Sequence, residues 1–320
     1  MCVVARVDEL RLMSKVARMY YVQNLNQQEI TEKLHLHQST ISRILKRARA
    51  SNMVRTSVTT PPGTYAELED ALIANFNLKD AVVVDCPADS ESKVRDLGAS
   101  LAYYIETTVK PGKNIGISSW SRSLFAMVDA LHPGEYCLGG RVVQILGGVG
   151  KADSRFQAIH LAQRLAGNIG ATPVLLQSPA IVGSPEAQRI LSRDPAIRDA
   201  SALFSRLDLA LVGIGSMEPS KMLAQSGNFF AARELAELRK LGAIGDICFR
   251  FYDAEGKPVK SPLVKRVIGI DLETLRSCKR VVGVAGGSDK EKAIRGALRG
   301  GYVDVLITDQ HTAAALTKAE

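Results

Sequence analysis

A small all-α domain followed by a larger α/β body is the architecture this sequence predicts, and three observations predict it. Basic charge is concentrated at the N-terminal end. Apolar residues there recur at helical spacing. From residue 80 onward, short Val/Ile/Leu-rich runs alternate with amphipathic ones. The length of 320 residues suits about two domains. Of the net charge of +8, the first 58 residues hold +6, ten bases against four acids, and the other 262 share +2. Such an imbalance suggests a nucleic-acid-binding end joined to a nearly neutral body.

The totals also exclude classes. Apolar (46%) and charged (23%) fractions are those of a globular chain, so disorder and collagen-like repeats do not fit. No apolar run approaches the ~18 residues that span a bilayer. Asp8 and Glu9 stand where a secretory signal would place its apolar core. The expectation is a cytoplasmic protein with no membrane partner. Cys2, Cys86, Cys137, Cys248 and Cys278 are dispersed, with no C-x-x-C pair. They read as small buried residues rather than a disulfide framework or a zinc site.

Residues 8–24 place Leu12, Val16, Met19 and Tyr20 on one helical face. Asn26 then precedes a run whose Glu29 completes a capping-box spacing, with Ile30 and Leu34 as its apolar face. His35-Leu36-His37 forms a turn, Leu36 pointing inward, before a third helix with Ile41, Ile44 and Leu45 inside. Two short helices, a tight turn and a basic outer face make a helix-turn-helix, whose second helix enters the DNA major groove. Gln27, Gln38, Ser39, Thr40, Ser42, Arg43, Lys46 and Arg47 are the expected DNA-binding residues. Small hydroxyls and an amide suit base edges; Arg and Lys suit bases or phosphates. The two histidines lack further ligands nearby, so no metal is expected. Val54, Thr56 and Val58 alternate as a short strand, the expected wing, which Pro61-Pro62-Gly63 ends. Thr64 and Glu67 have capping-box spacing before the stripe Tyr65, Leu68, Leu72 and Phe76. This predicts a linker helix packed on the body or on a second subunit.

In the body, strands are expected at 81–85, 114–118, 141–147, 173–177, 209–215, 249–253, 281–285 and 303–307. Helices at 91–107, 121–131, 154–167, 230–241 and 289–299 lie between several of them. Near-continuous aliphatic strands between helices indicate a parallel sheet covered on both faces, of Rossmann-like type. Ligands of such sheets bind beyond the strands' carboxyl ends. Several of those ends carry glycines or hydroxyls: Ser118–Ser123, Gly147-Gly148, Gly213 and Gly215, the "GAIGD" loop, and Gly286-Gly287. Glycine lets a ligand approach the backbone, and free N–H groups at a helix start attract phosphate. Arg122 and Lys290 add positive charge. An anionic or sugar-like ligand follows. The "ILGGVGKA" stretch is not a phosphate-binding P-loop, because Ile145 and Ala152 occupy two of its required positions, and no G-x-G-x-x-G follows a strand. No cofactor or catalytic residue is expected.

Both halves together resemble the SorC/DeoR-type sugar-binding bacterial transcription regulators. The resemblance spans nearly the whole chain and rests on "YYVQNLNQQEITEKL…STISRILKRAR", "IGISSWSRSL", "ALVGIGS", "GAIGDICFRFYDAEG" and "VAGGSDKEKAIRGALRGGYVDVLITDQHTAAAL". It implies a helix-turn-helix (winged) domain plus an effector domain resembling sugar-phosphate isomerases. It further implies a homo-tetramer as a dimer of dimers, and an operator affinity tuned by a free or phosphorylated sugar. Localisation would be the bacterial cytoplasm, and the nucleoid when bound to double-stranded DNA. By this resemblance Ser118, Ser119, Trp120, Ser121, Arg122, Ser123 and Lys290 face the effector's phosphate or polar end. Asp246 faces its hydroxyls. The family loop commonly reads Trp-Gly-Arg-Thr, so Trp120-Ser121-Arg122-Ser123 reshapes the cradle. No Lys directly precedes Gly147, which leaves no strong candidate for a covalent Schiff base. The expected boundaries are 1–60 for DNA binding, 61–78 for the linker helix and 79–320 for effector binding and oligomerisation. The alternative reading is a sugar-phosphate isomerase-like enzyme with an appended DNA-binding domain, which would need a paired acid and base.

Overall fold

The computed structural model describes residues 3–51, 53–54, 61, 63–87, 90–149, 158–218, 223–224 and 230–318. It divides into two compact units, Met1–Thr60 and Pro61–Glu320.

The first unit contains α1 (Val3–Tyr21), α2 (Gln27–Leu34) and α3 (Gln38–Ala50). Helix α1 starts earlier than the periodicity suggested and stops at Tyr21 rather than 24. Asn24, at φ 54°, turns the chain, and the Leu25 N–H closes on the Met19 carbonyl. The capping box is formed: the Asn26 side chain accepts from the N–H groups of Gln28 and Glu29, and Glu29 accepts from the Asn26 N–H at 2.7 Å. Val16, Met19, Ile30, Ile41 and Leu45 are buried together, with Leu12, Tyr20, Leu34, Leu36 and Ile44 packed around them. These are the inward positions expected from spacing. His35 ends α2 in the left-handed region (φ 51°, ψ 39°), the conformation in which a Cβ costs on the order of 1 kcal/mol. His35→Gly should therefore stabilise this unit by up to about 1 kcal/mol in thermal unfolding and leave DNA binding intact; a lower melting temperature would contradict it. Thr56 and Val58 of the expected wing lie outside the described residues.

In the second unit seven strands form one parallel sheet: β1 (Asp80–Val84), β2 (Asn114–Ile117), β3 (Arg141–Gln144), β4 (Thr172–Val174), β5 (Leu209–Gly213), β9 (Val281–Val284) and β10 (Val305–Asp309). Their spatial order is β1-β10-β9-β5-β2-β3-β4. Alternate residues feed opposite cores. Leu209 and Leu211 join a cluster with Leu97, Leu101, Leu124, Met127 and Leu165. Ala210 and Val212 join the other, with Leu72, Ile294 and Leu298. One face is covered by α5 (Ser90–Thr108), α6 (Arg122–Ala130) and α7 (Ala158–Ile169). The other is covered by α4 (Ala66–Phe76), α12 (Glu291–Arg299) and α13 (Gln310–Thr317). Burial on both faces is why the inner strands β2, β5, β9 and β10 lack an exposed polar stripe, whereas the edge strand β4 is exposed at Thr172 and Pro173.

Several expectations are corrected. Residues 250–252 do not join the parallel sheet. They form β8 (Arg250–Tyr252), in a small antiparallel sheet with β7 (Gly245–Ile247) and β6 (Gly215–Ser216). Only Cys248 and Phe249 separate β7 from β8, and a parallel pair needs a long crossover. The 209–215 run breaks after Gly213, and its end serves as β6, paired antiparallel with β7. Thr64 does not cap α4: Tyr65 takes the N-cap position without a side-chain cap bond, while the Thr64 hydroxyl donates to the Pro61 carbonyl. Helix α4 packs on β1 and α13 of its own chain. Unexpected short helices are α8 (Pro185–Leu191), α9 (Pro195–Ser201) and α11 (Leu272–Arg276), capped by Ser184, Asp194 and Asp271. Helix α10 (Ala232–Lys240) is as expected. Cys86, Cys137, Cys248 and Cys278 are free and buried.

Candidate functional site

In the first unit the outer face of α3 presents Gln38, Ser39, Ser42, Arg43 and Lys46 exposed, with Thr40 half-buried. Gln27, at the first position of α2, is half-buried beside that face. Arg47 stands apart: its guanidinium pairs with Glu9 of α1 at 2.5 Å. That bond holds the Glu9 carboxyl below its usual range and raises the Arg47 value. At 3.6 residues per turn, Arg47 lies on the flank turned toward α1, whereas Ser39, Arg43 and Lys46 share the outward centre.

In the second unit, chain order runs outward from β2 through β3 and β4. It then returns to the other side of β2 for β5, β9 and β10. The strand order therefore reverses between β2 and β5, and ligands of open α/β sheets bind at that crevice. The Ser118–Ser123 loop leaves β2 there, and Gly213–Ser216 leaves β5.

Ser118 and Ser119 are buried. The Gly213 N–H points at the Ser118 Oγ, 3.5 Å away. The Ser119 Oγ donates to the Leu146 carbonyl at 2.5 Å and accepts from the Gln144 amide at 3.2 Å. Trp120 is half-buried, its indole N–H donating to the Gly147 carbonyl at 3.2 Å. Ser121 takes the N-cap position of α6 without a side-chain cap bond, so the first turn of that helix keeps donors for an anion. A Cβ on Gly213 would lie 2.7 Å from the Ser121 Oγ; glycine is what lets the two loops meet. Arg122 is exposed and Ser123 half-buried, and among the described residues no hydrogen bond holds the Arg122 guanidinium.

Asp246 lies on β7 opposite Gly215 of β6. A Cβ on Gly215 would collide with the Asp246 Oδ1. Gly215→Ala should therefore displace the carboxylate and cost about 1–3 kcal/mol by overpacking, read as a lower denaturation midpoint; an unchanged midpoint would show that the carboxylate moves freely. The Asp246 Oδ2 accepts the Phe249 N–H at 2.9 Å. Cys248 and Phe249, which join β7 to β8, both have positive φ (53° and 58°), a turn that normally selects Asn or Gly. Burial pushes the Asp246 pKa up to about 6, against the pull of the Phe249 N–H and Lys290. Lys290 ends a 3-10 turn (Ser288–Lys290) and donates to the Ile214 carbonyl at 3.1 Å. Burial lowers its pKa, Asp289 and Asp246 raise it, and Arg122 lowers it further. Arg122, Asp246 and Lys290 thus share one electrostatic neighbourhood beyond the β5 edge.

The remaining glycines are spacers. Gly147 donates to the Ile268 carbonyl and leaves no room for a Cβ against Pro179; Gly148 beside it is buried. Gly286 makes way for the Asp309 carboxylate, and the N–H of Gly287 (φ 112°) is taken by Asp309 Oδ2 and Thr312 Oγ1, both at 2.9 Å. Arg250 donates to the carbonyls of Val264, Gly269 and Ile270, tying the β7–β8 hairpin to the segment that also supports Gly147. Three supports were missed from sequence: Gln144, Arg250 and Asp309. Of these, Asp309 had a readable signal, since Asp309 and Thr312 have N-cap spacing and the Asp309 side chain caps α13.

Comparison with known proteins agrees with both units. The sugar-binding domain family (Sugar-bind) matches residues 60–318, and the sigma-70 region 4 family matches residues 13–51. The chain is 33% identical over 310 residues to the deoxyribonucleoside regulator of Bacillus subtilis (strain 168), covering 97% of this chain and 98% of that one. It is 31% identical over 316 residues to the sorbitol operon regulator of Klebsiella pneumoniae, covering 97% and 99%. The crystal structure of that full-length regulator, SorC, superposes with a TM-score of 0.74 at 32% identity, covering 97% of this chain and all of that one. A parallel-sheet sugar-binding domain behind a helix-turn-helix defines a class of transcriptional regulator. This chain belongs to its SorC/DeoR-type family.

Proposed function

We propose that this regulator binds a double-stranded DNA operator through α3 and that a sugar or phosphorylated sugar, held at the β2/β5 crevice, sets its operator affinity. The observation that carries the second half is the uncapped start of α6, with Arg122 in its first turn, at a crevice where Arg122 and Asp246 both act electrostatically on Lys290. Two cations and free helix-start N–H groups suit a phosphate or other anionic end. A carboxylate suits sugar hydroxyls. Ser118, Ser119, Trp120, Ser121 and Ser123 shape the anion end. Gly147, Gly148, Gly213, Gly215, Gly286 and Gly287 hold the loops close. On α3, Ser39, Arg43 and Lys46 face the bases; Gln27, Gln38, Thr40, Ser42 and Arg47 border them.

The relatives are named as regulators, which supports binding without turnover. An isomerase would need an acid and a base paired at the substrate, and the charged group acting on Asp246 is a lysine. Control works by coupling: the effector shifts the protein between arrangements only by its differential affinity for them. A homo-tetramer built as a dimer of dimers, working in the cytoplasm and bound at the nucleoid, fits this reading. Half-sites about 10–10.5 base pairs apart, or multiples, are then expected in the operator. No helix among the described residues is long and apolar enough to cross a membrane.

The test is twofold. Electrophoretic shifts on the protein's own promoter region should show specific binding that a sugar or sugar phosphate changes. Thermal-shift screening of the same compounds should single out a ligand that stabilises by about 2.7 kcal/mol at 100 times its Kd. Absence of any specific shift, with or without these compounds, would overturn the reading.

A further inference from the structure

Beside the recognition face of α3, and sharing Gln27, Ser42 and Lys46 with it, the first unit carries a feature to which Tyr20, Tyr21 and Arg49, outside the expected DNA-binding set, contribute. A groove of about 300 Å³ opens between the end of α1, the start of α2 and one flank of α3, lined by Tyr20, Tyr21, Gln27, Ser42, Lys46 and Arg49. Tyr20 and Tyr21 are half-buried and meet edge to face, centroids 4.9 Å apart. The Arg49 Nε donates to the Tyr21 hydroxyl at 2.5 Å, and its guanidinium carbon lies 5.6 Å from the Tyr21 ring centroid. Arg49 follows Ser42 by seven residues, two helical turns, so both lie on the same flank of α3. Arg47 occupies the opposite flank, neutralised by Glu9.

Charge separates these cations. Arg47 and Arg11 have carboxylate partners, Glu9 and Asp8. Among the described residues, Lys46 and Arg49 form no salt bridge. A guanidinium has five donors, and Tyr21 engages one of them. The phenol and ring fix the plane of the group, so little side-chain entropy remains to be lost when an anion arrives. The groove therefore offers oriented Arg donors, a Lys ammonium and the Gln27 amide to an anion with several acceptor oxygens.

We propose that this groove is a clamp for a backbone phosphodiester of bound DNA, with Arg49 touching the phosphate and Tyr21 acting as its positioning residue. This rests on the reading of the unit as a DNA binder. It extends the interface from the recognition face to the end of α1 and sets the register of α3 in the groove, which phosphate contacts do without reading sequence.

The experiment measures binding of the full chain to a 30-base-pair duplex from its own promoter region by fluorescence anisotropy, from about 50 to 300 mM salt. Arg49→Gln should reduce the slope of log K against log salt by about 0.9, one phosphate's worth, and weaken low-salt binding about tenfold. Arg49→Lys should keep the slope yet lose several-fold in affinity, since an ammonium lacks the fork that Tyr21 orients. Tyr21→Phe should do the same. Arg11→Gln should alter neither. A slope for Arg49→Gln equal to that of wild type or of Arg11→Gln overturns the proposal while leaving DNA binding itself standing. Absence of wild-type binding overturns both. Thermal protection by inorganic phosphate that Arg49→Gln abolishes, with DNA binding unchanged, would assign the groove to a free anion and overturn it too.

Discussion

Asp246→Asn is expected to weaken effector binding at least tenfold and, at the same time, to make the ligand-free protein more stable at pH 7.5. The carboxylate is ionised in a site whose burial raises its pKa from 3.8 to about 6. The folded state therefore binds more protons than the unfolded state between about pH 4 and pH 6, so stability falls as pH rises through that window and stays lower above it. Asparagine removes the charge while keeping the shape. The gain should be about 1–2 kcal/mol, less than the ~3 kcal/mol that a two-unit displacement represents, because Lys290 loses its partner. The effector pays for this in lost charge-assisted bonds, each about 1.5–3 kcal/mol. Thermal unfolding from pH 4.5 to 7.5, with and without the identified sugar, reads both effects. In wild type, binding should also decline below about pH 6 as Asp246 takes its proton. A variant less stable than wild type at pH 7.5 would show that the carboxylate is a structural rather than a ligand-directed group.

Asp309→Ala should cause the largest loss of stability, about 3–5 kcal/mol in urea unfolding. The carboxylate is fully buried. It accepts the Thr312 hydroxyl at 2.7 Å, the Gly287 N–H at 2.9 Å and the N–H groups of Thr312 and His311 at 3.1 and 3.2 Å. Lys93 stands 3.9 Å away. Burial raises its pKa, but the Thr312 bonds, Lys93 and the Gly287 N–H outweigh that and hold it below the usual range. A lowered pKa means stability that is fully present above about pH 4 and is lost as pH falls toward the folded value. The variant should lack that part of the acid sensitivity. It should also loosen the Gly286–Lys290 loop, since Gly287 is tied to Asp309, and so weaken effector binding. Asp309→Asn, which keeps one acceptor, should fall between. A loss under about 1 kcal/mol would contradict the account of Asp309 as the anchor of that loop.

These two carboxylates show how unevenly the site was legible. Asp246 was proposed through motif resemblance, because a lone Asp after a glycine turn has no periodic signal. Asp309 went unremarked although its spacing to Thr312 announces a helix cap. Ser118–Ser123 and Lys290 were reachable from a general rule: ligands sit past the carboxyl ends of parallel strands, where glycine and hydroxyls gather. The same rule singled out Gly287, whose N–H is bonded inside the protein. The helices α8 and α9 were missed despite Ser184-Pro185 and Asp194-Pro195, which are N-cap and first-turn signals. Residues 250–252 carry the aromatic pair Phe251-Tyr252 of an ordinary strand, and only a two-residue turn distinguishes their antiparallel pairing.

The sequence by itself determined the helix-turn-helix, the capped start of α2, the left-handed strain at His35 and the two-sided parallel sheet. Each depends on residues near one another in the chain, where periodicity, caps and turn chemistry act. Tertiary structure decided what depends on distant partners. It paired Arg47 with Glu9 on one flank of α3 and laid Arg49 against Tyr21 on the other. It brought Asp246 beside Lys290 across a hairpin and a strand end, and closed Asp309 over Gly287. No local pattern encodes those pairs, because the energy that selects them arises only when groups from separate elements are brought together, most strongly where, as at Asp309, they share a small, poorly hydrated space.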